Sequence, residues 1–305
     1  MFILTNDENF AGPAARLIQA QMRTLLSKVP LLRPREREGP DAQEERWGEL
    51  LAAAGTAEFY SGKEGEKILR RAKDPSTFSR IPPIELAEYY DQVQRFRSAK
   101  ANGSRRVPLH APWHGQVVVA ALTPWFCIEG RVRLILQVSC QALVESRPEA
   151  LAAPVTVLRR VAAAMAAGTL QLPTLRYGVL AWTGISRPYL TPADRDLFWR
   201  MFQVPVFEQF RGFQGELLAA ESDCHDGMHI ESSAAIWEQR IDGRDELLVT
   251  SIGNLRYPAL RLATGLRGRL DRSPCPCGRS EPRLHVLGPA CLAAAGEGGS
   301  AIALA

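Results

Sequence analysis

Between Leu109 and Phe207 the chain alternates short aliphatic runs with amphipathic stretches, and this alternation restricts its fold more than any other feature. Val117-Val118-Val119 and Leu134-Ile135-Leu136-Gln137-Val138 are too apolar for strands with one wet face, so they suit strands covered on both sides. Leu175 to Trp182 and Val204-Pro205-Val206-Phe207 read the same way. Between them, Pro154 to Ala167 is Ala-rich and amphipathic and ends at Gly168, the residue type that best takes the left-handed position after a helix. Thr191-Pro192-Ala193-Asp194 opens another helix, with a capping hydroxyl, a proline at the first helical position and an acid in the first turn. The pattern predicts an α/β architecture, a sheet with helices on its faces.

The flanks differ in character. Residues 11–72 carry apolar side chains at helical spacing, from Ala14, Leu17 and Ile18 to Trp47, Leu50 and Phe59, with a charged, Pro-bounded loop expected over 32–40. Ile81-Pro82-Pro83-Ile84-Glu85 is expected to start a helix through Tyr89 and Tyr90, its prolines in the first turn. Ser61 to Lys67 lacks the glycine and lysine order of a phosphate loop and reads as a charged loop. After Glu221 short strands dominate: Gly227 to Ile230, Ala235 to Glu238 and Glu246 to Thr250. We therefore divide the chain into an N-terminal helical region (1–108), an α/β sheet region (109–220), a β-rich region (221–289) and a tail (290–305).

Composition narrows the function classes. At 305 residues the chain is large enough for a sizeable core. Its formal charge of +4 is too mild to point to nucleic acid, and no apolar run approaches the ~20 residues of a membrane helix. The N-terminus has an early acidic pair and no basic leader, so a cytoplasmic location is expected, with cysteines as thiols or metal ligands. Cys127, Cys140 and Cys291 are expected to be buried small hydrophobes, and His110 and His114 loop residues.

The remaining three cysteines cluster with three of the five histidines between residues 219 and 288. Cys275 and Cys277 stand two apart across a proline, close enough to reach one ion. Cys224 and His229, in a glycine-containing turn, supply two more donors, with His225 as the alternative to His229. Four such nitrogen and sulfur donors form the closed tetrahedral set of a structural zinc.

The block from Pro154 to Arg283 carries a family resemblance. Leu172-Pro173-Thr174-Leu175-Arg176, Gly184-Ile185, Phe210 to Gln214, Glu221-Ser222, Gly227-Met228-His229-Ile230, Leu262 to Leu266 and Cys275-Pro276-Cys277-Gly278-Arg279 follow the order and spacing of motifs in phenylacetate–coenzyme A ligases. This resemblance implies the large N-terminal domain of an adenylate-forming ligase: a helical N-terminal region, a mixed sheet with flanking helices and a small β-rich subdomain. It also implies a crevice for a small carboxylic acid or a nucleotide, around Trp182, Thr183, Gly184, Phe210, Gln214 and Thr264 at the strand ends.

The chain departs from that family where the chemistry lies. Only Gly103-Ser104 remains of the loop that would hold triphosphate, and the ribose-gripping aspartate is replaced by Leu266. Gln214 stands at the metal-positioning glutamate, with Glu216 nearby, and Ser222 replaces a family cysteine. The mobile C-terminal domain with its catalytic lysine is not present in these 305 residues. Two readings follow. One is a ligase homologue that no longer activates acids with ATP and Mg²⁺ and serves as a zinc-stabilised binding or scaffold module. The other is a reduced ligase that a protein partner completes by supplying the missing domain.

Overall fold

A computed structural model describes residues 40–99, 107–108, 110–113, 117–122, 128–129, 132–135, 140–185, 187–240 and 245–290. The expectations placed on residues 11–39, on Gly103-Ser104, His114, Cys127 and Cys291, and on the tail beyond residue 290, lie outside them.

The described part of the N-terminal region, residues 40–99, is helical. It comprises α1 (Pro40–Ala54), α2 (Gly62–Ala72), α3 (Pro75–Phe78) and α4 (Leu86–Asp91), with 3₁₀ turns at Glu58–Tyr60 and Val93–Phe96. Two details differ from the sequence reading. The segment from Gly62 to Lys67, expected as a loop, forms the first turns of α2, because Ile68 and Leu69 farther along it pack on the core. Gly65 lets that helix close on the preceding turn: a Cβ there would lie 2.0 Å from the Tyr60 carbonyl oxygen. Pro82 and Pro83 precede α4 rather than entering it, because Ile84 is held in a bridge to Leu262. The Ile84 amide donates to Arg261 O at 3.1 Å, and Ile84 O accepts from the Ala263 amide at 2.9 Å.

The remaining elements are β1 (Val107–Pro108), β2 (Val119–Leu122), β3 (Ile128–Glu129), β4 (Val132–Ile135), α5 (Cys140–Glu145), β5 (Ala150–Pro154), α6 (Val155–Ala166), β6 (Gly178–Gly184), α7 (Pro192–Phe202), β7 (Val206–Arg211), β8 (Leu217–Glu221), β9 (Met228–Ile230), β10 (Ala235–Gln239), β11 (Glu246–Ser251), β12 (Leu262–Asp271) and β13 (Arg283–Pro289). β1 and β3 form a small parallel pair. The other strands build one eleven-stranded sheet in the order β10-β11-β12-β13-β9-β8-β7-β6-β5-β2-β4. Pairing is parallel from β4 to β7 and antiparallel from β7 to β10. The boundary at residue 220 therefore falls inside β8, and one sheet carries strands from both sides of it.

Strand alternation sorts the core. Val179 and Ala181 face α6 and α7, joining Leu158, Val161, Phe198 and Phe202, while Leu180 and Trp182 face the opposite way with Trp113 and Phe207. A third cluster packs the N-terminal helices on the antiparallel strands, with Tyr60, Phe96, Phe210, Leu247 and Leu262 at its centre. Both helix signals hold. Gly168 follows α6 with φ +70°, and Thr191 and Asp194 form a reciprocal capping box on α7. No helix among the described residues is long and apolar enough to cross a membrane.

Candidate metal centre and the strand-end crevice

Two loops bring the four candidate ligands together. The turn between β8 and β9 supplies Cys224, β9 supplies His229, and the loop between β12 and β13 supplies Cys275 and Cys277. Pairing of β9 with β13, with Arg283 opposite His229, places the two loops side by side. The ligating atoms all lie within 4.8 Å of one another. Cys224 Sγ is 3.1 Å from Cys275 Sγ, Cys275 Sγ is 3.2 Å from Cys277 Sγ, and Cys277 Sγ is 3.2 Å from His229 Nε2.

A tetrahedron with metal–sulfur arms of ~2.3 Å has edges of roughly 3.8 Å, within the spread of these contacts. The four residues can therefore hold a metal ion. His229 is suited to it through Nε2, because its Nδ1 lies 3.3 Å from the Glu281 carbonyl oxygen and can donate there, which fixes the ring and leaves Nε2 for the ion. His225, the alternative ligand, points elsewhere: its ring stacks on Phe207 at 5.0 Å and its Nδ1 faces Glu221 at 3.6 Å.

The loops are held by a second device. Arg283, 2% exposed, reaches Asp226 in the first loop with Nη1. Its Nη2 donates to Asp271 Oδ2 and to Ser273 Oγ, both at 2.8 Å, at the start of the second. Sequence inspection did not single out this residue, because a lone arginine on a strand carries no signal until the register places it between two acids.

Beside this centre two buried carboxylates, Glu208 and Glu221, share one half-buried arginine. Arg195 on α7 donates to Glu221 and Glu208, and the Glu208 amide donates to Glu221 Oε2 at 2.7 Å. Burial, reinforced by the charge of Glu221, pushes Glu208 up to about 7. Burial alone would also raise Glu221, but the Arg195 fork and His225 outweigh it and hold the carboxyl down at about 2.

The six crevice candidates lie on β6, on β7, in the β7–β8 turn and on β12, and the structure gives each an internal partner or neighbour. Trp182 donates from Nε1 to Gln209 Oε1 at 3.1 Å, with the Arg211 guanidinium 5.6 Å from its ring centre. Thr183 donates to Glu208 Oε1 at 2.9 Å, and Thr264 to the Leu247 carbonyl at 2.8 Å. Phe210 packs edge-on against Trp237. Gln214 donates from Nε2 to Asn254 Oδ1 at 2.9 Å. Gly184 lies against Arg211, whose carbonyl would be 2.3 Å from an added Cβ. A shallow depression is lined instead by Ile185, Phe213, Val249, Ser251, Asn254, Ala259 and Leu262.

Leu266 is buried in the core among the N-terminal helices and antiparallel strands. Glu216 keeps its carboxylate in the β7–β8 turn, where it accepts from the Gln214 amide at 2.9 Å and from Ser251 Oγ at 2.5 Å.

The molecule aligns with 2-hydroxyisobutyryl-CoA ligase in an open conformation with 2-HIB-AMP and CoA, at a TM-score of 0.60 and 12% identity, over 85% of this chain and 80% of that one. The same ligase in its postadenylation state with R3-HIB-AMP aligns at 0.59 and 13% identity, over 85% and 72%. The fold is that of adenylate-forming ligases. At such identity the likeness speaks for the fold alone. No protein-family model and no curated protein matches the chain.

Proposed function

We propose that this chain is a phenylacetate–CoA ligase-like protein whose adenylate-forming fold serves binding rather than ATP-driven acid activation. The observation that carries this is the state of the strand-end residues: Trp182, Thr183, Gln214 and Thr264 spend their polar groups on Gln209, Glu208, Asn254 and Leu247. Leu266, at the position of the ribose-gripping aspartate, is packed in the core. Transfer of an adenylyl group relies on fixed donors and cations aimed at developing charge. Donors already engaged with protein are not available for that.

In this reading Cys224, His229, Cys275 and Cys277 hold one zinc ion, which when bound supplies a structural crosslink between two loops. The ligand is a small carboxylic acid or a nucleotide, the location is cytoplasmic, and neither nucleic acid nor a membrane is a partner.

The test is calorimetry with ATP and Mg²⁺ over a panel of aryl and alkyl acids. Weak or absent Mg²⁺-dependent ATP binding is expected, and tight binding would overturn the reading. One observation supports the alternative of a reduced ligase completed by a protein partner: Glu216 offers a carboxylate two residues from the expected metal-positioning site. Adenylate formation on adding a lysine-bearing partner domain would establish that alternative.

A further inference from the structure

We propose that Cys224 and Cys275 form a peroxide-sensitive pair whose disulfide replaces the metal as the tie between the two loops. Three observations point to it. The two sulfurs are 3.1 Å apart, so bonding requires only a small approach to the ~2.05 Å of a disulfide. Exposure sets Cys275 apart: it is 6% exposed, whereas Cys224, like Cys277, is partly exposed, so an oxidant reaches Cys224 before Cys275, which stands behind it to resolve. Arg283 holds both loops through Asp226, Asp271 and Ser273, so the sulfurs remain juxtaposed whether or not an ion joins them.

The chemistry balances with hydrogen peroxide as the oxidant. The Cys224 thiolate attacks one peroxide oxygen, the O–O bond breaks and hydroxide leaves, giving a sulfenic acid. The Cys275 thiolate then attacks that sulfur, the S–S bond forms and a second hydroxide leaves. Two protons convert the hydroxides to water; sulfur has lost two electrons and peroxide has gained them. Only Cys277 and His229 then remain as donors, too few to retain a tetrahedral ion. Cys277 is the competing partner at 3.2 Å from Cys275, but joining it would close a small ring over Pro276, and His229 Nε2 holds its sulfur.

The release of metal rests on the zinc reading above; the crosslink does not. The experiment treats zinc-reconstituted, full-length protein with stoichiometric hydrogen peroxide. It follows zinc release with a chromogenic chelator and maps disulfides by mass spectrometry of non-reduced peptides. The expected result is a Cys224–Cys275 crosslink with zinc released in proportion, both reversed by dithiothreitol and added zinc. The oxidised, metal-free protein should melt close to the zinc-bound form, whereas reduced protein stripped with a chelator melts lower. The peptide map needs no variant, and Cys224→Ala should abolish the crosslink. A crosslink between Cys275 and Cys277, or over-oxidation of Cys224 with none, would overturn the proposal. Protein that takes up no zinc yet forms the Cys224–Cys275 crosslink would sink the zinc reading and leave the pair standing.

Discussion

Arg195 grips Glu221 with both terminal nitrogens: Nη2 donates to Oε1 at 2.6 Å and Nη1 to Oε2 at 3.1 Å. The pair fastens α7 to β8, on the far side of β7. Glu221 has a folded pKa of about 2, below its ordinary 4.5, so its contribution to stability is complete above about 4.5 and disappears as pH falls toward 2. Glu208 runs the other way. Raised to about 7, it favours the native state below 4.5, and that advantage is lost as pH rises through 7. Urea midpoints measured across this range should show an acid-side loss that Glu221→Gln removes, along with a lower plateau because the half-buried Arg195 is left with one carboxylate fewer. An unchanged acid limb in that variant would refute the assignment.

Placing an aspartate at Leu266, where the family resemblance expects a ribose-gripping acid, should fail for a packing reason. Leu266 is 6% exposed among apolar neighbours, so Leu266→Asp buries a carboxylate without a partner and should cost about 3 kcal/mol or more. Denaturant melts measure that cost, and nucleotide titration of the same variant should show no gain in binding.

Gly184 occupies a close approach between β6 and β7. Its missing Cβ would sit 2.3 Å from the Arg211 carbonyl, which is backbone and cannot swing aside. Gly184→Ala should destabilise the protein by roughly 3 kcal/mol, read from chemical denaturation. A neutral result would mean that the two strands separate there more easily than their register implies.

The capping box of α7 gives a smaller effect of known origin. Thr191 Oγ1 accepts from the Asp194 amide at 3.1 Å, and the Thr191 amide donates back to Asp194 Oδ2 at 2.9 Å. Thr191→Ala should cost about 1 kcal/mol, with the loss seen first as faster amide exchange in the first turn of α7.

Local signals were the legible part of the sequence. Thr191-Pro192 and Gly168 mark real helix ends because their chemistry acts within a few residues. The clustering of Cys224, His229, Cys275 and Cys277 was legible because soft donors are uncommon and the loops and strand that carry them lie close together through the β9–β13 pairing. Three things were not. The helix over Gly62 to Lys67 is stabilised by Ile68 and Leu69 packing on elements far along the chain. The bridge from Ile84 to Leu262 moved the start of α4, and no local pattern announces it. The engagement of Trp182 and Thr183 by Gln209 and Glu208 depends on the parallel β6–β7 register, where Trp182 faces Gln209. Residues at strand ends look available in a sequence, and only the neighbouring strand reveals whether their polar groups are already taken.

That β7 pairs with β6 on one side and β8 on the other has a practical meaning. A protein cut at the β7–β8 hairpin would not yield two tidy halves. Each fragment would bare a row of amides and carbonyls along a strand that is buried throughout its length in β7 and nearly so in β8, a sticky seam inviting self-association. The loops that carry the cysteines and the parallel strands thus belong to one mechanical unit, and a disturbance at the cysteines has a continuous hydrogen-bonded path to the strand ends.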